Sequence, residues 1–242
     1  MGWSYDFWVG TLYPKGLQPD EFLREYSRHF ATVEVDNTFY RIPRPEVVDK
    51  WRDATPADFL FSCKFPQVIT HEKMLRDCEE ETKVFTERIS RLGERLGVLL
   101  LQFPYNFEPK HLPSLKSFLA SLPKGYRYAV EVRNRELLSE ELYALLRDSG
   151  VALALVEHPF MPRAEEVTAE FAYIRWEGDR RKVKGTLGKV EVDRRDKIGM
   201  WAEKINRLLG EEIEVFGYFS KYFSGYPPSD IEQLSEMLRS NG

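Results

Sequence analysis

Cysteine is scarce: Cys63 and Cys78 are the only two in 242 residues. Two thiols are too few for a disulfide framework or a thiolate zinc site. Cys63, inside an apolar run, reads as a small core residue. Histidine is nearly as scarce. His29, His71, His111 and His158 are the full set, and no HExxH motif occurs. No apolar run approaches the length of a bilayer span. The start, MGWSYDFW, lacks the basic residues and long apolar stretch of a secretory signal. A cytoplasmic protein with no membrane partner is the expectation. No Gly-rich loop follows an early strand, which disfavours an open, doubly wound nucleotide fold. The glycines of LGERLGVLL merely flank a helix end and a strand start. Repeats and low-complexity linkers are missing too, so one domain over 1–242 is expected. The net charge of -4 argues against a general nucleic-acid binder.

What is present has a regular rhythm. Short apolar runs at 31–36, 59–65, 97–103, 127–133, 151–157, 170–176 and 214–220 read as strands. Helical spacing lies between most of them. PDEFLREYSRHF places Phe22, Leu23, Tyr26 and Phe30 on one face. EETKVFTERISRLGERLG does the same with Val84, Phe85, Ile89, Leu92 and Leu96. Ser139 is a natural N-cap, Gly150 a helix stop, and Ser229 with Glu232 has capping-box spacing. Strands alternating with helices imply parallel pairing. An eighth, short strand over Gly2–Tyr5 would complete a single TIM-type (β/α)8 barrel, an α/β fold.

Side chains alternate along a strand. That rule groups Thr32, Glu34 and Asp36 against Val33 and Val35. It groups Leu60, Ser62 and Lys64 against Phe61, Cys63 and Phe65. Ala129, Glu131 and Arg133 oppose Val130 and Val132; Tyr173, Arg175 and Glu177 oppose Ile174 and Trp176. In a barrel the apolar face meets the helices, so the polar face points inward. Glu34 is then expected to meet Lys64, Glu131, Arg133 and Arg175 at the C-terminal mouth, where barrel enzymes place their active sites. Two uses of such a cluster are open. It is either a paired network filling the interior or a ligand site. Because the mouth is open to water, Glu34 is expected to matter more for ligand than for stability.

These residues sit within GWSYDFWVGTLYP, FATVEVDNTFYRIP, FLFSCKFPQVITH, LLLQFP, YAVEVRN and FAYIRWEG. In that order they resemble the YecE-like family, domain of unknown function 72, from Gly2 to about Leu238. The resemblance implies a TIM-type barrel and supplies no reaction. It marks Trp3, Tyr5, Glu34, Asn37, Tyr40, Lys64, His71, Gln102, Glu131, Arg133 and Arg175 as motif positions. Two departures stand out. Family members usually carry several residues ahead of the segment matching Gly2, so the first strand is expected to be short or to begin upstream. Where members have a YFNN-like turn, this chain has YFSKYFSGYPP, with Ser220 and Lys221 in the amide positions.

Glu34, Lys64, Glu131 and His71 are the candidate catalytic residues. Lysine or arginine beside a glutamate favours its ionised form, and Lys64 suits an anion anchor, an electrophilic donor or an imine-forming nucleophile. Trp3, Tyr5, Asn37, Tyr40, Gln102, Arg133 and Arg175 are the candidate ligand-binding residues, the aromatics stacking on a sugar or base. Glu34, Glu131, Glu157, His71 and His158 are the only convergent metal-ligand types, and cations in the same layer would repel a metal. No metal or cofactor is therefore expected. The expected ligand is a polar, anionic small molecule, a sugar phosphate or nucleotide fragment, handled by a hydrolase, lyase or isomerase. The alternatives are a nonenzymatic ligand- or nucleic-acid-binding barrel, and a metal-dependent endonuclease-like or isomerase-like enzyme. The basic run GDRRKVKG, residues 178 to 185, reads as a solvated loop rather than a phosphate site.

Overall fold

The structure, a computed structural model, describes residues 1–240. Seven strands pair in sequence order: β1 (Thr32–Val35), β2 (Leu60–Lys64), β3 (Leu96–Gln102), β4 (Arg127–Glu131), β5 (Ala152–Glu157), β6 (Phe171–Trp176) and β7 (Glu214–Phe219). Every pairing is parallel. Helices fill the connections, among them Pro45–Asp53, Glu79–Ile89, Leu112–Ser121, Glu140–Ser149 and Arg195–Gly210. The sheet curls until its ends meet. Tyr218 of β7 shares hydrogen bonds of 2.8 Å with Thr32 of β1 and Ser62 of β2.

The curl stops just short of a closed ladder. The backbone nitrogen of Met1 donates to the Phe219 carbonyl at 2.9 Å, and that of Gly2 to the Glu34 carbonyl at 2.8 Å. The strand expected over Gly2–Tyr5 does not form. Gly2 has φ +70° and the chain turns into a short 3-10 turn, Asp6–Trp8, so two hydrogen bonds bridge β7 and β1. The result is an α/β barrel of seven strands with the eighth position barely filled.

Alternation sorts the side chains into two layers. Val33, Val35, Phe61, Cys63, Leu101, Val130, Leu155, Ile174 and Trp176 join the buried helix faces in one outer core. Val98, Leu100, Ala129, Ala154, Tyr173, Phe216 and Tyr218 pack inside the barrel. Each fully buried large side chain contributes about 1.5–3 kcal/mol by leaving water. Trp176 stacks on Phe219 at 4.1 Å, and it crosses β7 at Gly217, where a Cβ would come within 2.8 Å of its ring.

Local chemistry explains where helices stop. Ser139 accepts from the Leu142 amide at 3.4 Å, and Gly150 ends the following helix at φ +64°. The helix Glu79–Ile89 is shorter than its apolar spacing suggests, because a 3-10 segment with Gly93 at φ +60° takes over. The last helix begins at Pro227, two residues before Ser229. Proline tolerates the first turn because no N–H is needed there. Ser229 does not cap that helix; it accepts from the Gln233 side chain at 3.1 Å. Among the described residues, no helix is long and apolar enough to cross a membrane.

Candidate functional site

The C-terminal ends of the strands carry two tiers of polar side chains. The lower tier is largely buried. Arg175, on β6, grips Glu34 of β1 with both arms of its guanidinium: Nε to Oε2 at 2.8 Å and Nη2 to Oε1 at 2.8 Å. Tyr173 donates to the same Oε2 at 2.7 Å. Arg175 also pairs with Glu131 and, at 2.6 Å, with Glu177. Arg133 pairs with Glu131 and reaches Glu177 at 3.1 Å. Glu34 and Glu131 have no exposed surface, and Arg175 has 1%. Charges taken this far from water persist only when paired and hydrogen-bonded on all sides. Burial works to raise the Glu177 carboxyl, but Arg175, Arg133 and Lys64 outweigh it and hold the group at about 2. The same carboxylates outweigh burial at Arg175 and hold its guanidinium well above the usual arginine range.

Above this tier lies a cavity of about 690 Å³. Its lining includes Lys64, Arg133, Arg175, Arg180, Arg181 and Lys221, six cations, against three carboxylates, Asp36, Glu177 and Asp179. With Glu34 and Glu131 counted beneath it, since they pair with Arg175 and Arg133, the balance is six cations to five carboxylates. Lys64, at the end of β2, donates to the Gln102 side-chain oxygen at 2.9 Å and lies 3.5 Å from Asp36. Its ammonium also sits 4.6 Å from the centre of the Phe39 ring. His158, after β5, accepts from the Phe160 amide through Nδ1 at 3.2 Å. Burial, then Arg133, pushes its imidazole below the usual histidine value, so it is neutral at pH 7.

Two loops supply the upper wall. Arg180 and Arg181 follow β6, and their guanidinium groups lie 4.8 Å and 4.7 Å from the ring centres of Tyr222 and Phe160. Lys221 follows β7, with its ammonium 5.2 Å from Tyr5, 5.4 Å from Phe7 and 5.3 Å from Tyr222. Among the described residues, Arg180 and Lys221 face rings and form no ion pair. The loops touch backbone to backbone. A Cβ at Gly178 (φ +79°) would lie 2.0 Å from the Tyr222 carbonyl oxygen, and one at Gly185 (φ +64°) would lie 2.7 Å from that of Lys221. Only glycine fits such contacts at positive φ.

The expected residues divide among three places. Tyr5, Tyr40, Lys64, Gln102, Arg133 and Arg175 line the cavity. Glu34 and Glu131 lie beneath it, and Lys64 meets Gln102 and Asp36 rather than Glu34. The remaining three lie outside the lining. His71 packs its ring edge-on to Phe39 at 4.9 Å and shares a 2.8 Å hydrogen bond with Thr70; burial, then Lys64 and Arg133, lowers its pKa. Trp3 packs edge-on against Trp51 and Phe61 at 5.8 and 6.5 Å. Asn37 opens a neighbouring groove with Arg41, Arg44 and Trp51. The cavity adds residues that strand parity does not single out: Phe160, Arg180, Arg181 and Ser220. The basic run from 178 was the available signal for two of them. Among the described residues, no three of His, Cys, Asp and Glu come together as a metal-ligand set.

Comparison with known proteins fits the barrel fold. The family described as "Protein of unknown function DUF72" matches residues 1–242. The UPF0759 protein YecE of Escherichia coli (strain K12) is 42% identical over 174 residues, 68% of this chain and 61% of that protein. The chain thus spans about three fifths of the length of that relative. The UPF0759 protein YunF of Bacillus subtilis (strain 168) is 24% identical across 94% of this chain and 90% of its own. A crystal structure of a DUF72 family protein from Thermotoga maritima superposes with a TM-score of 0.83 at 28% identity, covering 98% of this chain and 96% of that one. A DUF72 family protein from Enterococcus faecalis, 22% identical with a TM-score of 0.80 over 98% and 93% of the two chains, shares the fold.

Proposed function

Because the chain belongs to the DUF72 family, whose description names no reaction, we propose a function from the site alone: the barrel mouth binds a polar, anionic small molecule, a sugar phosphate or nucleotide fragment. One observation carries this reading. Two cations lining the cavity, Arg180 and Lys221, have no ion-pair partner among the described residues, whereas Arg133 and Arg175 are already paired with Glu34, Glu131 and Glu177. An oxyanion seated between Lys64, Arg180 and Lys221 would gain charge-assisted hydrogen bonds in a partly desolvated space. Glu34 and Glu131 serve this as positioning residues, fixing Arg175 and Arg133 from below. His158, neutral at pH 7, is a cavity group able to accept a proton from a bound ligand. Such a group would suit proton transfer of the hydrolase, lyase or isomerase kind.

A second reading is favoured by the basic run. Arg180 and Arg181 line the cavity, and Lys182 and Lys184 continue exposed along the same loop. A nonenzymatic barrel that tracks a nucleic-acid backbone would use that stripe.

Calorimetric titration with ribose 5-phosphate and with ribose tests the first reading. The phosphate ester is expected to bind and ribose to fail. Lys64→Met should weaken binding about tenfold, the scale of a hydrogen bond to a charged group. Equal behaviour of the two sugars, or full affinity in Lys64→Met, would overturn the reading.

A further inference from the structure

Three large aromatic side chains stand exposed after barrel strands: Tyr40 at 70% and Phe160 at 61%, which line the cavity, and Tyr105 at 79%, which does not. They follow β1, β5 and β3, in that order. The cations of the cavity come from the ends of the intervening strands: Lys64 from β2, Arg133 from β4, Arg180 and Arg181 from the loop after β6. Exposed rings cost solvation and give the fold nothing, so two of them lining one cavity suggest a ligand with flat apolar faces.

The rings differ in what already covers them. Arg181 lies over Phe160, Arg180 over Tyr222 and Lys64 over Phe39. Tyr40 carries no cation among the described residues. Its one ring contact is edge-on, with Phe39 at 5.3 Å. Tyr40 therefore keeps a broad face open to solvent while lining the cavity. The path from the anion floor to that face is short and marked. Lys64 stands 4.6 Å from Phe39, and Phe39 stands 5.3 Å from Tyr40.

Resting on the anion-site reading above, we infer that the ligand is a nucleotide unit, with its phosphate on the cationic floor beside Lys64, its sugar against Phe39 and its base stacked on Tyr40. A phosphorylated monosaccharide held at Lys64 ends near Phe39, one ring too early. A base carried on the sugar reaches the next ring. Stacking on an aromatic side chain is tolerant of base identity, since each base has a flat π-face. The exposed cations Arg181, Lys182 and Lys184, on the loop after β6, would extend the site beyond one unit. The unit is therefore either a free nucleotide or one residue of a single strand.

Titration of the full chain with AMP, ribose 5-phosphate and an eight-residue oligothymidylate tests this, in the wild type, Tyr40→Ala and Tyr40→Trp. AMP should bind roughly tenfold more tightly than ribose 5-phosphate, the scale of one base stack. Tyr40→Ala should erase that margin while ribose 5-phosphate binds as before, and Tyr40→Trp should keep it. Tyr40 is exposed, so the fold is not at stake, and an unchanged melting temperature checks that. A Tyr40-dependent gain of the oligothymidylate over AMP that shrinks with salt identifies the source as a strand. A Tyr40-dependent AMP margin without that gain identifies a free nucleotide. Equal affinities for AMP and ribose 5-phosphate, unmoved by Tyr40→Ala, would overturn the nucleotide and leave the anion site standing. No binding of any phosphate compound would overturn both.

Discussion

Arg175 reaches across the barrel from β6 and clasps both oxygens of Glu34 at 2.8 Å. The pair lies one tier below the cavity, and Glu34 has no exposed surface. A mouth open to water would leave Glu34 exposed and of little weight for stability; its burial overturns the exposure and reverses the expectation for stability. Glu34→Gln removes one partner of a buried pair and leaves Arg175 short of countercharge, so a loss of about 3–5 kcal/mol is expected. Urea unfolding measures it; a loss below 1 kcal/mol would contradict the buried clasp.

Glu177 gives the fold an acid limit. Its folded value of about 2 lies below the ordinary 4.5. A depressed carboxyl stabilises the folded state above its unfolded value, and this is lost as pH falls through the folded one. Stability should therefore drop between pH 4.5 and 2, by the order of 3 kcal/mol from this group. Glu177→Gln should flatten that part of the profile, as followed by denaturant midpoints at stepped pH.

Asp230 acts with the opposite sign. It is 1% exposed and accepts from the Ser224 hydroxyl at 2.6 Å; burial lifts its pKa to about 7 despite that bond. A raised carboxyl favours the folded state below its unfolded value, and the benefit disappears as pH rises through about 7. Asp230→Asn should leave stability at pH 4 nearly unchanged and raise it at pH 8, with up to about 4 kcal/mol at stake. Melting curves at the two pH values decide it, and equal shifts would refute the burial argument.

Arg180 and Lys221 supply attraction without supporting the fold. Among the described residues, neither has an ion-pair partner. Arg180→Gln and Lys221→Gln should each lower ribose 5-phosphate affinity several-fold and weaken its salt dependence, with melting temperatures within a few degrees of wild type. Unchanged affinity in both variants would remove the upper wall from the anion site.

The strands were legible because each buries one face. Val33 and Val35 flank Glu34, Val130 and Val132 flank Glu131, and a period of two fixes which way each carboxylate points. The mouth was less legible because loops carry no period. Phe160, Arg181 and Ser220 owe their positions to where β5, β6 and β7 end in space. Partner choice was hidden too: parity puts Glu34 and Lys64 on the same face, but Arg175 is long enough to reach Glu34 first, leaving Lys64 to Gln102 and Asp36. The first strand is curtailed, as its place at the start of the motif suggests: Gly2 donates to the Glu34 carbonyl of β1 and then, at positive φ, turns the chain away.

At Gly178 and Gly185 two loops pass so closely that a single methyl group on either would strike a neighbouring carbonyl. The two loops pack backbone against backbone at both points. Arg180 rides on one and Lys221 on the other, so folding itself sets the spacing between these charges. The like-charge repulsion and lost loop entropy of bringing them together are met once, at folding, and are not charged again to each arriving anion. A mouth built this way is preorganised, and its affinity should owe more to slow release than to fast capture.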